Sequence, residues 1–328
     1  MFPKQMERGT MVSFQEFLTL NKWHGVHVRK QMKRYAHLVR RMGGSYNKTY
    51  SELAQSWSRE KARYWVRDRC IRRVLRLYGN QEQRTDAWHA ARSTMVTASE
   101  VSGVIDGTPS QRHEVMMRKL LPRNDAGRTQ NLRNPLVWGT VFEPIAKRIY
   151  ERDTKCTILD VSCVRHPRIE FLGASPDGII NSDDRERHNS LVEIKCPISR
   201  PIGGDIPKAY YHQMQTQMEC IGVDECEYVE FQFKLVYYSE WVDFKGNKGI
   251  FAQYDDGRIE EWTSTSGMID EGTLAYWIMT GVHRDLVARE EGWLSKHLPA
   301  IRVFWDEVVQ HRSAGTLPEK QGILKLDL

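Results

Sequence analysis

The chain has 328 residues, of which 40% are hydrophobic and 27% charged, so it can bury one sizeable core and is not a disordered protein. Its net charge of +6 conceals an asymmetry, because residues 1–85 carry 19 Lys and Arg against 6 Asp and Glu, whereas the remainder carries 29 against 36. No segment approaches the roughly 18 consecutive apolar residues of a membrane span, and the N-terminus lacks the pattern of a secretory signal. We therefore expect a soluble protein that stays inside a cell, in the cytoplasm or the nucleus.

The cysteines predict neither a disulfide scaffold nor a metal cluster. Six cysteines are sparse for a chain of this length, and none belongs to a C-x-x-C pair. A structural zinc or iron–sulfur site needs closely spaced thiolates, and only Cys220 and Cys226 lie near each other in the sequence. We therefore expect buried or idle thiols.

The basic first quarter is predicted to be a helical N-terminal extension over residues 1–85. Apolar residues recur at helical spacing from Thr49 to Leu77, and a second helix is predicted from Phe14 to Arg41. Such a segment either holds the phosphates of a polyanion or forms a helical cap whose arginines are only solvated. The residues alone leave both interpretations open.

The remainder is predicted to mix helices and strands. A T-x-x-E capping box at Thr97 and Glu100 predicts the start of a helix, and the widest apolar stripe predicts a helix from Thr140 to Arg152 that packs on a sheet. Pro299 is expected to open a final amphipathic helix. Further helices are predicted over 111–121 and 210–221, strands over 157–161, 171–174 (continuing towards 180), 191–196, 227–238 and 274–280, and a β-hairpin within 239–272.

Two carboxylates lie where a carboxylate is costly unless it is used. Asp177 follows Ser-Pro at a strand end, and strand alternation places Glu193 on the same face as Lys195. Fifteen residues separate Asp177 from Glu193, which is enough for a hairpin that brings them side by side. The two would repel each other unless a divalent cation lies between them, and Mg²⁺ suits oxygen ligands best. Lys195 would then position a water or stabilise charge on a phosphate; the competing interpretation is an ordinary cross-strand Glu–Lys pair.

These residues form the pattern P-D…E-x-K, which resembles the PD-(D/E)XK nuclease superfamily. Other segments, in the same order, make the sequence closely resemble the lambda-exonuclease family, also called the YqaJ-type viral recombinase family. The resemblance covers about 86–233 and does not cover 1–85. The matching segments are Trp88-His89 with Arg92, Thr97-Ala98-Ser99-Glu100-Val101, Trp138-Gly139 with Glu143, Gly173 to Gly178, Val192 to Pro197, and Tyr210 to Gln215.

The resemblance implies an α/β (α+β) fold, a restriction-endonuclease-like core with a central mixed β-sheet flanked by helices, over residues 86–315, followed by a tail at 316–328. It implies metal-dependent 5′-to-3′ digestion of linear double-stranded DNA, which leaves 3′ single-stranded overhangs for viral or phage-type recombination or DNA repair. Mg²⁺ is the implied cofactor, with Mn²⁺ as a substitute. The implied partners are double-stranded DNA ends and a single-strand annealing protein, with no membrane, and family members include monomers and ring-shaped trimers.

Matching positions carry the family's site residues onto this sequence. Asp177 and Glu193 would be metal ligands together with the carbonyl of Ile194, and Glu143 would hold a second metal or its waters. Lys195 would orient the attacking water. The predicted helix 210–221 would line the site with Gln213 and Tyr210, and the 5′-terminal phosphate would be held by Arg92, Ser99 and Ser175, of which Ser99 lies at a predicted helix N-terminus that favours anions.

Several of these residues also have simpler structural interpretations. Glu143 follows Thr140 by three residues and would then be the acidic end of a capping box. The other simpler interpretations are Gln213 with Gln217 on a solvated helix face, Ser175 bonded to turn backbone, Arg92 paired with Glu100, and His212 as a packed or surface histidine.

One position departs from the family pattern, and two other functions stay open. The family has a phosphate-contacting arginine eight residues after the motif glutamate, where this sequence has Pro201 with Arg200 one residue earlier. One alternative function is an endonuclease of the same superfamily that cuts DNA internally. The other is an inactive nuclease fold used for DNA binding, which the intact Asp177, Glu193 and Lys195 set disfavours.

Overall fold

A computed structural model describes residues 28–41, 43–49, 59–79, 82–122, 131–263 and 272–319. The basic segment contains helices α1 (Val28–Arg41) and α2 (Arg59–Tyr78), so the two predicted helices are confirmed over these residues. The rest of the predicted spans 14–41 and 49–77 falls largely outside the described residues. Among the described residues, no helix is both long enough and apolar enough to cross a bilayer.

The helices that carry candidate site residues begin at identifiable caps. Helix α3 (Asp86–Ser93) was not predicted, and Thr85 caps it by accepting a hydrogen bond from the Trp88 amide at 3.2 Å. The predicted capping box is confirmed, because the Thr97 amide donates to the Glu100 carboxylate at 2.9 Å where α4 (Ala98–Ile105) begins. Helix α5 (Pro109–Leu120) follows, close to its predicted bounds.

Helix α6 (Pro135–Thr154) is longer than its apolar stripe predicted. It begins before Thr140 because the Asn134 side chain accepts from the Leu136 amide at 2.9 Å and Pro135 occupies the first helical position, where the missing N–H is harmless. Residues 123–130, which precede this cap, lie outside the described part of the chain.

Two sheets form the centre of the described structure. Their strands are β1 (Val96–Thr97), β2 (Thr157–Leu159), β3 (Val164–Arg165), β4 (Leu172–Ala174), β5 (Gly178–Asn181), β6 (Leu191–Lys195), β7 (Glu225–Val236), β8 (Lys248–Gln253), β9 (Ile259–Glu261) and β10 (Thr273–Ala288). The larger sheet has the strand order β2-β5-β6-β7-β10-β8-β9, in which β6 and β7 are parallel and the other neighbours antiparallel. The smaller sheet has the order β1-β4-β3.

Helices cover both faces of the seven-stranded sheet. On one face, Phe142 of α6 packs in a buried cluster with Val192 and Ile194 of β6. On the other, helix α7 (Lys208–Ile221) packs Met214 and Met218 against the sheet. The predicted fold class, a mixed α/β core with a central mixed sheet flanked by helices, is confirmed.

Helix α2 is packed against this core. Its Ile71 and Val74 belong to the same buried cluster as Met214 of α7. Its Arg67 side chain is 1% exposed and donates to the Asp224 carboxylate at 2.9 Å. The proposed division of the chain at residue 85 stays a prediction, but α2 is anchored to the sheet by apolar packing and by a buried cation.

Two predicted strands differ from those observed, and an unpredicted helix precedes the predicted hairpin. Residues 171–180 form two strands of different sheets, because the chain turns at Ser175-Pro176-Asp177 between β4 and β5. The strand predicted over 274–280 is the first half of β10, which continues to Ala288 along β7. Within 239–272, β8 and β9 form the expected hairpin, preceded by an unpredicted helix α8 (Tyr238–Asp243).

Helix α9 (Trp293–Ala314) begins before Pro299, contrary to the prediction. Gly292 adopts φ 86°, a left-handed conformation that glycine enters without strain, and turns the chain into the helix. The buried Trp293 indole then anchors the first turn, so Pro299 lies inside the helix. The helix is amphipathic as predicted: Ile301, Phe304 and Val308 are buried in one cluster, and the half-buried Trp305 packs against it.

Candidate active site

The β5–β6 hairpin brings Asp177 and Glu193 together. Strand β5 runs antiparallel to β6 with Gly178 opposite Val192, so Asp177 lies beside the middle of β6. The Ile194 amide donates to the Asp177 carboxylate at 2.7 Å and fixes its position. The predicted hairpin is therefore confirmed.

Glu193 is fully buried and satisfied by three donors. Lys195 donates to one carboxylate oxygen, which also accepts from the Gln213 side chain. The Gln217 amide donates to the other oxygen at 2.7 Å. Because side chains alternate along β6, Leu191, Glu193 and Lys195 face α7. The hydrogen bonds of Glu193 to Gln213 and Gln217 therefore join this face of the strand to one face of the helix.

The electrostatics of this cluster reflect crowded carboxylates beside one cation. Burial, then the neighbouring Glu193, and more weakly Glu143, raise the pKa of Asp177 well above its ordinary value. Burial alone would lower the pKa of Lys195, but Glu193 and Asp177 raise it, so the ammonium is stabilised in its charged form. The cluster can therefore accommodate further positive charge beside Asp177.

Helix α7 supplies one predicted and one unpredicted side chain to Glu193. Gln213 and Gln217 are four residues apart and therefore share a helix face, and both side chains are buried. The interpretation of this pair as a solvated face is wrong. Tyr210, one turn before Gln213 on α7, lies with its ring centroid 4.8 Å from the Lys195 ammonium.

Sequence reasoning missed Gln217 as a site residue. The available signal was its i, i+4 spacing from Gln213 opposite a strand that carries a buried glutamate, since a buried carboxylate requires donors. Which helix face meets the strand is decided only by tertiary packing.

Gln217→Met should lower the rate of DNA digestion about 10-fold, because Glu193 loses a donor that fixes its orientation. The measurement is the initial rate on linear duplex together with urea unfolding. The matched control is Gln215→Met on the same helix, since Gln215 is also buried but donates to the Ala288 carbonyl at 2.9 Å, away from Glu193. Equal rates in the two variants would contradict a specific role for Gln217.

Glu143 lies close enough to Asp177 to raise its pKa. Its carboxylate accepts from the Arg84 guanidinium at 2.6 Å, and both side chains are partly exposed. The capping-box interpretation is wrong, because α6 begins at Pro135 and the Thr140 hydroxyl instead donates to the Leu136 carbonyl at 2.9 Å. Glu143 therefore faces the hairpin side of the site from the middle of a helix.

The three candidate phosphate residues gather around one tryptophan. The Arg92 guanidinium lies 4.3 Å from the Trp88 ring centroid and donates to the Ser99 hydroxyl at 3.1 Å. The Trp88 indole N–H donates to the Ser175 hydroxyl at 3.0 Å. Arg92, Ser99 and Ser175 are thus brought together from α3, α4 and the turn that also carries Asp177.

Two basic residues near the motifs have structural partners. His212 lies 2.7 Å from the Asp106 carboxylate and accepts from the Trp293 indole at 3.0 Å, which supports its interpretation as a packed residue. Arg200 donates to the buried Glu230 carboxylate and, at 3.0 Å, to the Tyr228 hydroxyl. The Arg200 guanidinium is therefore bound to side chains of β7.

The donor set fits a hard cation in its chemistry. Asp177, in the turn that leads into β5, and Glu193 of β6 offer carboxylate oxygens, and the main chain of Ile194 contacts Asp177. Carboxylate and carbonyl oxygens are ligand types that Mg²⁺ accepts. Among the described residues, no group of three or more His, Cys, Asp and Glu side chains is already gathered as a metal site. A cation at this position would have to displace the Lys195 or glutamine contacts of Glu193.

Comparison with known proteins identifies relatives of this region. Residues 87–224 match the family model of the YqaJ-like viral recombinase domain. An uncharacterised protein of Acanthamoeba polyphaga mimivirus is 25% identical over 320 residues, covering 77% of this chain and 57% of that protein. A protein of African swine fever virus is 26% identical over 160 residues, covering 41% of this chain and 45% of that protein. The chain thus spans about half the length of the curated relatives it matches.

Two solved structures show a more distant similarity to this chain. An alkaline exonuclease from Laribacter hongkongensis is 24% identical with a TM-score of 0.45, covering 70% of this chain and 95% of that one. A SOX–DNA complex is 14% identical with a TM-score of 0.41, covering 94% of this chain and 92% of that one. The segment 87–224, which matches the family model of the YqaJ-like viral recombinase domain, contains Arg92, the β5–β6 hairpin and α7.

Proposed function

We propose that the protein is a metal-dependent exonuclease that digests linear double-stranded DNA in the 5′-to-3′ direction and leaves 3′ single-stranded overhangs. The observation that carries the proposal is the contact between buried Glu193 and Lys195 beside Asp177 at one end of a hairpin. The similarity of residues 87–224 to the YqaJ-like viral recombinase domain supports a nuclease that serves recombination or repair.

In this proposal, Asp177, Glu193 and the carbonyl of Ile194 hold Mg²⁺, for which Mn²⁺ substitutes, and Glu143 holds a second ion or its waters. The bound cation would polarise the scissile phosphate and lower the pKa of a water. Lys195 orients the attacking water and stabilises the negative charge that develops on the phosphate. Gln213 and Gln217 keep the Glu193 carboxylate in position.

The end of the duplex would be recognised by Arg92, Ser99 and Ser175. Arg92 presents a charged guanidinium, and Ser99 lies in the first turn of α4, where free amide groups and the helix dipole favour an anion. The turn of Ser175 leads directly to Asp177, so a phosphate held there lies close to the proposed metal ligands. Recognition of the end and hydrolysis would be coupled through this turn.

The basic segment 1–85 would hold DNA phosphates and so extend the contact with the duplex. The 3′ overhang would be passed to a single-strand annealing protein inside the cell, and the chain would act as a monomer or as a ring-shaped trimer. These parts of the proposal rest on the charge asymmetry and on the recombinase family.

Three DNA substrates test the activity. With Mg²⁺, 5′-phosphorylated linear duplex should be digested stepwise, 5′-hydroxyl duplex about 10-fold more slowly because Arg92 loses its ionic partner, and covalently closed circles not at all. The readout is release of nucleotides and the length of the remaining strand labelled at its 3′ end. Cutting of the circle would show that the protein is an endonuclease and not an exonuclease. Binding of duplex without any cleavage would instead indicate a DNA-binding role.

A further inference from the structure

A buried ion pair lies directly behind the candidate phosphate site. The Lys119 side chain on α5 is 3% exposed and its ammonium lies 2.7 Å from the Glu100 carboxylate, which is 10% exposed. The same ammonium donates to the main-chain carbonyl of Arg92 at 2.9 Å. Lys119 therefore contacts both the helix that carries Arg92 and the first turn of α4.

The Glu100 carboxylate is connected to Arg92 by one hydroxyl group. Thr97 donates its hydroxyl to Glu100 at 2.6 Å, and the same oxygen accepts from the Arg92 guanidinium at 3.1 Å. Burial alone would raise the pKa of Glu100, but the charge of Lys119, the Thr97 hydrogen bond and the charge of Arg92 lower it. Glu100 is therefore an anion, and its charge acts on the Arg92 guanidinium. Glu100 is thus a competitor of any phosphate for this guanidinium.

Helix α9 contacts both α3 and α5 through the Arg312 side chain. The Arg312 guanidinium donates to the Lys119 carbonyl at 2.7 Å and to the Ser93 carbonyl at 2.8 Å. Ser93 is the last residue of α3, directly after Arg92. The end of α3 is therefore held by side chains from α5 and α9, and Arg92 has little freedom to move its backbone.

We propose that Lys119 is a positioning residue that neutralises Glu100 and thereby keeps Arg92 available for the 5′-terminal phosphate. The inference rests on the proposed function, because it assumes that Arg92 recognises the phosphate. With Lys119 in place, the buried Glu100 charge is cancelled, and the half-buried Arg92 forms no ion pair with any of the described residues. Without Lys119, Glu100 would attract Arg92 inward, and the preference of the enzyme for phosphorylated ends would fall.

Neutralisation of Glu100 by Lys119 has different kinetic consequences from a contact that only stabilises the fold. Loss of packing would lower digestion of all ends alike, whereas loss of charge neutralisation would act on the phosphorylated end alone. It would raise the KM for that substrate and leave kcat at saturating DNA unchanged. Removing the Glu100 charge in addition should restore the preference, which a purely structural role would not do.

The test compares digestion of 5′-phosphorylated and 5′-hydroxyl duplex by the full chain. In Lys119→Met, we expect the ratio of the two kcat/KM values to fall about 10-fold, as for a lost charge-assisted hydrogen bond. In the double variant Lys119→Met/Glu100→Gln, the ratio should return to within about 3-fold of the unchanged protein. If Lys119→Met does not fold, Lys119→Gln gives the same test, because its side-chain amide can still donate to the Arg92 carbonyl but carries no charge to neutralise Glu100.

Arg112→Met is the matched control on the same helix. Arg112 pairs with Glu307 of α9 at 2.8 Å, so its loss also removes an ion pair between α5 and a neighbour without touching α3. The control should leave the phosphate ratio unchanged. An unchanged ratio in Lys119→Met, or a double variant as impaired as the single one, would overturn the inference while leaving the nuclease proposal intact. No phosphate preference in the unchanged protein would overturn both the inference and the proposed end recognition.

Discussion

Replacing Lys195 by alanine should lower Mg²⁺-dependent digestion of linear duplex by about 1,000-fold or more. The Lys195 ammonium contacts Glu193, and its pKa is raised by Glu193 and Asp177 although burial opposes this, so it remains charged at the pH of the reaction. Its loss would remove the group that orients water and stabilises charge, and would leave two carboxylates without their cation. The measurement is the single-turnover rate at saturating DNA, which separates hydrolysis from binding.

Lys234→Ala is the control for Lys195→Ala. Lys234 lies on the neighbouring strand β7 but is exposed and pairs with Glu240 at 3.3 Å, away from the hairpin. Its replacement should leave the rate within about 2-fold, as for a surface ion pair. Full activity of Lys195→Ala in DNA digestion would refute the catalytic assignment.

Asp177→Asn should lower the rate of digestion at least about 100-fold. The same change should raise the thermal stability of the protein in the absence of metal. The amide oxygen of asparagine can still accept from the Ile194 amide. Burial and Glu193 raise the pKa of Asp177, so the folded state binds the proton more tightly than the unfolded state, and ionisation at neutral pH costs stability. Asparagine cannot ionise and removes that cost.

The same variant tests the proposed cation. Mg²⁺ should raise the melting temperature of the unchanged protein, because a ligand that binds only the folded state stabilises it. In Asp177→Asn this increase should be lost. Differential scanning fluorimetry with and without Mg²⁺ measures both effects, and Ca²⁺ serves as a second divalent probe. An equal Mg²⁺ shift in the variant would contradict a role for Asp177 as a ligand.

The central hairpin could be predicted because local patterns determine it. Strand alternation placed Glu193 and Lys195 on one face, and the short separation from Asp177 left a hairpin as the simplest connection. The structure confirms this pairing, with β5 and β6 antiparallel. The capping box at Thr97 was predictable for the same reason, since its hydrogen bonds join residues three apart.

Element ends were less predictable where a local signal had two meanings. Proline is favoured at the first position of a helix, but Pro299 lies inside α9 because Gly292 and the buried Trp293 begin the helix earlier. The stripe from Thr140 missed the first turn of α6, in which Leu136 is exposed. Trp138 in that turn is nevertheless buried in the core beside Phe142, so the local signal for the start of α6 is the Asn134-Pro135 cap and not the apolar stripe.

The sequence by itself determined that the chain has a mixed α/β core, that Asp177, Glu193 and Lys195 lie together, and that basic charge is concentrated in the first quarter. Each of these follows from composition or from neighbours within one hairpin. Only the tertiary structure decided that Gln217 holds Glu193 and that Lys119 lies behind Arg92. These contacts join elements far apart in the chain, and buried polar partners are selected by where whole helices pack, which no local spacing specifies.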